Sequence, residues 1–189
     1  YGTLDAANGI WINNEDESDT PWSLLNFGEM KFITYNAVWC DVFNFGSLVF
    51  DATTEGAEQN MLGFDGYSFT NYGGIEIGED SYFYMGGEMR NSGSISVAGN
   101  FDIYGRVVNR DGSITTLSHG LLYNYGVLDM YDGGTLDIAD GGVFNTTEGV
   151  LLYRSNHAEI NGEVNGTEWC VDFTPIDGEV PQAYAATEA

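Results

Sequence analysis

Carboxylates dominate the side chains able to do chemistry here: 29 Asp and Glu stand against five Lys and Arg, a formal charge of −24. In the stretch Tyr131 to Gly142, acids alternate with apolar residues and glycines. Hard cations bind where several carboxylate and carbonyl oxygens gather, so Asp132, Asp137 and Asp140 are candidate calcium ligands. A second gathering is Asn13-Asn14-Glu15-Asp16-Glu17-Ser18-Asp19. The competing reading for both is a solvated acidic face. His119 and His157 have no Cys or His at ligand spacing, which argues against a zinc site. No G-x-S-x-G elbow and no phosphate-cradling glycine loop occurs. Paired carboxylates are so plentiful that no one pair points to glycoside hydrolysis. The expectation is a non-catalytic protein that needs no cofactor, calcium aside.

Cys40 and Cys170 lie in similar pentads, Trp39-Cys40-Asp41-Val42-Phe43 and Trp169-Cys170-Val171-Asp172-Phe173, near opposite ends of the chain. Two cysteines are too few for a disulfide scaffold. In a straight rod the two stand too far apart for a bond within one copy, unless the C-terminal arm folds back. A bridge between the end of one copy and the start of the next is the candidate, against two buried free thiols. Asn145 and Asn165 open N-x-T sequons and are candidate glycosylation sites.

Lys31, Arg90, Arg106, Arg110 and Arg154 are the whole cationic inventory. That excludes a basic nucleic-acid footprint, and the acidic field repels anionic lipid. No apolar run approaches the roughly 20 residues of a membrane helix. Hydrophobics at 43%, with 14% aromatics, separate the chain from disordered acidic tails. The chain begins at Tyr1 rather than Met, which reads as a processed or trimmed product. With the sequons and the scarcity of lysine, this leans toward an extracellular location.

The elements that must position these groups follow from internal repetition. Seven segments share a frame of Φ-x-Asn-x-Gly-x-Φ-x-Φ, two with a longer Asn-to-Gly gap. Their asparagines are Asn26, Asn44, Asn71, Asn91, Asn109, Asn124 and Asn145, spaced 18, 27, 20, 18, 15 and 21 residues apart. The longest gap holds an insertion near 52–62. Apolar residues occupy the second place before each Asn and the second and fourth places after most of the glycines. Period-two alternation of this kind marks strands with one buried face, and no segment sustains the three-and-four spacing of a helix.

Short strands repeating at such intervals stack in register as a β-solenoid, each turn pairing with those before and after it. The expected fold is therefore all-β: a single-domain parallel β-helix of about seven to eight coils. Residues 1–22 form an N-terminal arm and first coil, 23–166 the repeats, and 167–189 a C-terminal arm. The repeated Asn is a structural ladder, hydrogen-bonding coil to coil at a turn. Tyr72, Tyr82, Tyr84, Tyr104, Tyr123, Tyr125 and Tyr131 fall at turns or outward positions, where rings can stack on sugars. Phe27, Phe45, Tyr72 and Tyr125 share the place between Asn and Gly and are expected in one stacked column.

Units such as NSGSISVAGNFDIYG, from Asn91, and NYGVLDMYDGGTLDIADGG, from Asn124, resemble the repeats of bacterial surface β-solenoids. These are autotransporter passengers, haemagglutinin-like adhesins and related secreted repeat proteins. The resemblance covers Ser23 to Gly166 and implies an extracellular, non-catalytic scaffold or adhesin. The expected function is a secreted structural subunit that assembles head to tail with itself into a filament or sheath. The alternative is a monomeric surface adhesin or glycan-binding module.

Overall fold

Period-two alternation gives each short strand one apolar face, and three strands per turn close those faces around a common core. The computed structural model describes residues 3–6, 11–13, 23–33, 36–51, 60–64, 68–131, 133–153, 158–170 and 187–188. Most of the 52–62 insertion, the acidic residues 14–19, Asp132, Arg154, His157 and residues 171–186 lie outside the described residues.

Strands recur in a fixed order around three faces. Face one stacks β1 (Thr3–Ala6), β4 (Glu29–Phe32), β7 (Ser47–Phe50), β10 (Gly74–Ile77), β13 (Ser94–Val97), β16 (Ser113–Thr116), β19 (Thr135–Ile138) and β21 (Glu159–Asn161). Face two stacks β2 (Trp11–Asn13), β5 (Asn36–Trp39), β8 (Asn60–Phe64), β11 (Ser81–Met85), β14 (Asn100–Ile103) and β17 (Leu121–Asn124). Face three stacks β3 (Ser23–Asn26), β6 (Asp41–Asn44), β9 (Ser68–Asn71), β12 (Glu88–Asn91), β15 (Arg106–Asn109) and β18 (Val127–Met130). Two longer strands, β20 (Val143–Tyr153) and β22 (Val164–Cys170), run through the corner and complete faces two and three. A last strand, β23 (Thr187–Glu188), pairs antiparallel with the end of β22; every other pairing is parallel.

The protein is thus a parallel β-solenoid without a helix among the described residues. From β3 to the end of β20 the path makes six turns, and β1–β2 and β21–β22 extend it at either end. That is slightly short of the coil count read from the asparagines, and the difference has a cause in register. Asn26, Asn44, Asn71, Asn91 and Asn109 stand at one position of face three. The next residue in that column is Met130, while Asn124 ends β17 on face two, beside Ile103. The gap of 15 residues from Asn109 to Asn124 is therefore not a full turn but a shift of the frame by one face.

The core fills from all three faces. Phe32, Phe50, Phe69, Phe83, Phe101 and Phe144 are fully enclosed, and Phe32 stacks on Phe50 with ring centroids 5.1 Å apart. Phe83 continues the series, 5.3 Å from Phe50 and 5.0 Å from Phe101. At the ends the enclosure loosens: Leu24 on one side, and Ile138, Ala158, Ile160 and Val164 on the other, are only partly buried.

Candidate functional site

The asparagine row is a directed chain of amides. Asn26 donates from Nδ2 to Asn44 Oδ1 at 2.8 Å, Asn44 to Asn71 at 2.7 Å, Asn71 to Asn91 at 2.7 Å and Asn91 to Asn109 at 2.8 Å. The same nitrogens also donate to backbone carbonyls of the following turn, at Ser47, Gly74, Ser94 and Ser113. Asn109 ends the chain on Thr135 O, 2.9 Å away, and Met130 Sδ. Asn124 stands apart, donating to Thr146 Oγ1 at 2.9 Å, and its own Oδ1 is buried without a hydrogen-bond partner. Its predecessor in register is Ile103, which has nothing to donate. Asn145 is half-buried, and its Oδ1 accepts from the N–H and hydroxyl of Thr147 within its own sequon. Asn165, the other sequon residue, is exposed on β22.

Among the described residues the outward aromatics form two columns rather than one. Phe27, Phe45 and Tyr72 stack at the corner between faces three and one, 5.0 and 5.1 Å apart and nearly parallel. Their neighbours in that column are Ser92 and then Arg110, whose guanidinium lies 5.4 Å from the Tyr131 ring centre. Tyr125 belongs instead to the corner between faces two and three, 4.7 Å from Tyr104, which in turn meets Tyr84 at 5.0 Å. The change of frame at Asn124 carries Tyr125 there. Rings stacked along the rod cover one another's faces and turn their edges to solvent. Phe45 and Tyr104 each have a ring on both faces.

Beside the second column lies a group that alternation within its own strand does not reveal. Asp102 points outward from β14, yet it is only 5% exposed. In register it sits between Tyr84 and Tyr123, and Tyr82 donates its hydroxyl to Asp102 Oδ2 at 2.5 Å. Asp102 Oδ1 is buried with no hydrogen-bond partner, as is Asn100 Oδ1 two residues earlier. Burial raises the Asp102 pKa, against the lowering effect of the tyrosine bond. Burial, then the hydrogen bond to Asp102 and its charge, push the Tyr82 phenol well up. The readable signal was an Asp in an outward slot with tyrosines one turn away on both sides.

The remaining candidates are dispersed. Asp137 faces outward on face one and accepts from Asn161 Nδ2 at 2.7 Å, and Asp140 is exposed at the next corner. Among the described residues no three His, Cys, Asp or Glu side chains gather as a metal site. His119 occupies a left-handed turn position at φ 69°. The described cations are engaged: Lys31 with Asp51, Arg90 with Glu88, Arg106 with Asp129, and Arg110 with Tyr131.

Cys40 is a free thiol, 1% exposed, and burial pushes its pKa up. One turn of strands, β1 to β3, lies between it and the nearer end of the rod. A bridge from Cys40 to another copy would require that turn to open. The Cys170 side chain lies outside the described residues. Its strand is six spacings from β6 on face three, roughly 29 Å, so an intrachain bond is excluded.

The ends of the rod differ from face to face. On face one, β1 pairs only with β4 and β21 only with β19 among the described residues, leaving an unpaired parallel edge at each end. On face three, β23 already lies against the terminal edge of β22. These geometries define a class of protein, the parallel β-solenoid, but no particular member of it. Comparisons with protein-family models, with curated proteins and with solved structures returned no match. No helix among the described residues is long and apolar enough to cross a membrane.

Proposed function

We propose that this chain is a secreted structural subunit that joins end to end with copies of itself into an extracellular filament or sheath. The observation that carries the reading is the pair of parallel edges on face one that have no partner among the described residues, at opposite ends of one unbroken stack of eight strands. Open edges invite strand addition unless they are blocked. Contacts that join unlike ends are heterologous, and they grow open fibres when they do not close into a ring. The partly buried apolar side chains at both ends, Leu24 and Ile160 among them, gain full burial under another turn.

The reading is non-catalytic. Asp102 and Cys40, buried, and Tyr82, half-buried, have shifted acidity, and each is held in packing. The likeness of the repeats to autotransporter-passenger and haemagglutinin-like adhesin units supports the extracellular setting. The glycan-binding alternative has weaker support, because sugar stacking needs ring faces and the middle rings of the two columns, Phe45 and Tyr104, have both of theirs covered. Sedimentation velocity of the purified chain over a wide concentration range, paired with electron microscopy of the concentrated sample, tests the proposal. Growing species and rods are expected. A strict monomer at every concentration, with and without added salt and calcium, would end it.

A further inference from the structure

We propose that the junction is made on face one, with β1 of one copy laid parallel on β21 of the next in the register that continues the existing columns. The inference rests on the end-to-end reading above and names the contact that reading requires.

Face one is unbroken. From β1 to β21 one column runs Thr3, Glu29, Ser47, then Gly74 and Ser94, and on through Ser113 and Thr135 to Glu159. The adjacent column begins at Leu4 by backbone register, passes the buried Met30 and Leu48, and ends at Leu136 and Ile160. Without a bulge, the outer edge of β21 presents the same parallel hydrogen-bonding pattern that β19 presents to it. Adding β1 in that register sets Thr3 beside Glu159, Leu4 beside Ile160, and Asp5 beside Asn161. Met30 to Leu136 are buried in this column whereas Ile160 is only partly so, which marks the place where the next apolar residue is missing.

Other registers fail on chemistry. A slip of one residue would bring Thr3 or Asp5 to the inward column, since side chains alternate faces at period two. A slip of two would set Asp5 opposite Glu159, and like charges directly opposite are destabilising. Face three offers no matching edge, because β23 occupies it in the opposite direction. The pairing of β20 with β22, which closes faces two and three, shifts register between Thr146 and Leu151.

The test is a disulfide trap in the full chain, with Cys170→Ser removing the competing thiol. Thr3→Cys combined with Glu159→Cys places two thiols on neighbouring strands, with Cα atoms about 4.8 Å apart, inside the bonding window. Within one copy the two positions are seven strand spacings apart, about 33 Å, so any bond between them joins two copies. Mild oxidation is expected to give a ladder on non-reducing electrophoresis that collapses with reductant. The slipped pair, Asp5→Cys with Glu159→Cys, should give a ladder on the order of tenfold weaker, since its Cα atoms lie about 8 Å apart. If the parent chain assembles but the slipped pair bonds to the same extent, or neither pair bonds, the proposed register is overturned while end-to-end assembly stands. If sedimentation shows the parent chain to be a monomer throughout, the assembly reading itself falls.

Discussion

A Cβ placed on Gly73 would lie 1.9 Å from the carbonyl oxygen of Gly46, one turn earlier in the stack. The same relation ties Gly46 to Gly28 and Gly93 to Gly73, each at 2.0 Å. Glycine recurs two places after the asparagine because successive turns approach there with no room for a side chain. A Cβ on Gly74, the next residue, would meet only Ser94 Oγ, at an ordinary contact distance of 3.7 Å. Gly73→Ala is therefore expected to cost about 3 kcal/mol or more, the upper range for overpacking against immobile backbone. Gly74→Ala should lie within about 1 kcal/mol of the parent and on the stabilising side, because it reduces unfolded-chain entropy. Thermal unfolding followed by circular dichroism separates the two; equal losses would contradict the close approach.

The ladder makes a second contrast. Asn71→Leu removes the acceptor of Asn44 and the donor to Asn91, and should cost about 1–3 kcal/mol for buried groups left short of partners. Asn71→Asp should cost more, because a buried carboxylate would face Asn91 Oδ1 with nothing to donate. Asn124→Leu should cost less, about 1 kcal/mol, since its Oδ1 is already unpartnered and only the Nδ2 bonds to Thr146 Oγ1 and Val150 O are lost. Urea unfolding midpoints of the three variants give the order directly. An Asn124 variant as damaged as the Asn71 variant would show that the two asparagines do the same work.

That contrast also marks how far the fold could be read from residues. Alternation and a repeating Asn-x-Gly gave the strands, their stacking and the inward columns from Leu24 to Met89 directly, because burial and close approach constrain residue type at each place. The frame misleads at Asn124, where the same short pattern reappears one face early. A nine-residue pattern reports a turn and the strand after it, but it does not say which of three corners it occupies. Only turn length carries that, and the 15-residue gap was its sign. The enclosure of Asp102 was hidden for a related reason. An aspartate between Phe101 and Ile103 reads as a solvated outward residue, and its burial comes from tyrosines one turn away on either side.

Asp102 makes stability depend on pH in a direction set by its burial. Its pKa is raised in the folded chain, so the native state holds that proton more tightly than the unfolded state does. Its contribution is fully present below the ordinary carboxylate range and is lost as pH rises through the folded-state value. Asp102→Asn keeps an acceptor for the Tyr82 hydroxyl and removes the buried charge. The variant is expected to melt higher than the parent at neutral pH, with the difference shrinking as the pH is lowered toward 4. Comparing variant with parent at each pH cancels the general relief of acidic repulsion. A variant less stable than the parent at neutral pH would mean that the carboxylate is satisfied there as an anion.

Charge governs the last expectation. Lys31, Arg90, Arg106 and Arg110 are each engaged within the copy, so two copies at −24 approach with largely uncompensated acid on both. The screening length falls from about 30 Å at 0.01 M salt to about 3 Å at 1 M. Repulsion between like-charged partners slows encounter more than it slows separation. End-to-end association should therefore quicken as salt is raised across that range and then level off, with its dissociation rate changed far less. Calcium should exceed an equal ionic strength of sodium only if carboxylates such as Asp137 and Asp140 share it between neighbouring groups. Removing calcium with a chelator would then return the rate to the sodium curve. Stopped-flow light scattering measures both. Association that slows as salt rises would instead require attraction between unlike charges at the junction, in conflict with a face-one contact built from Thr3, Glu159, Asp5 and Asn161.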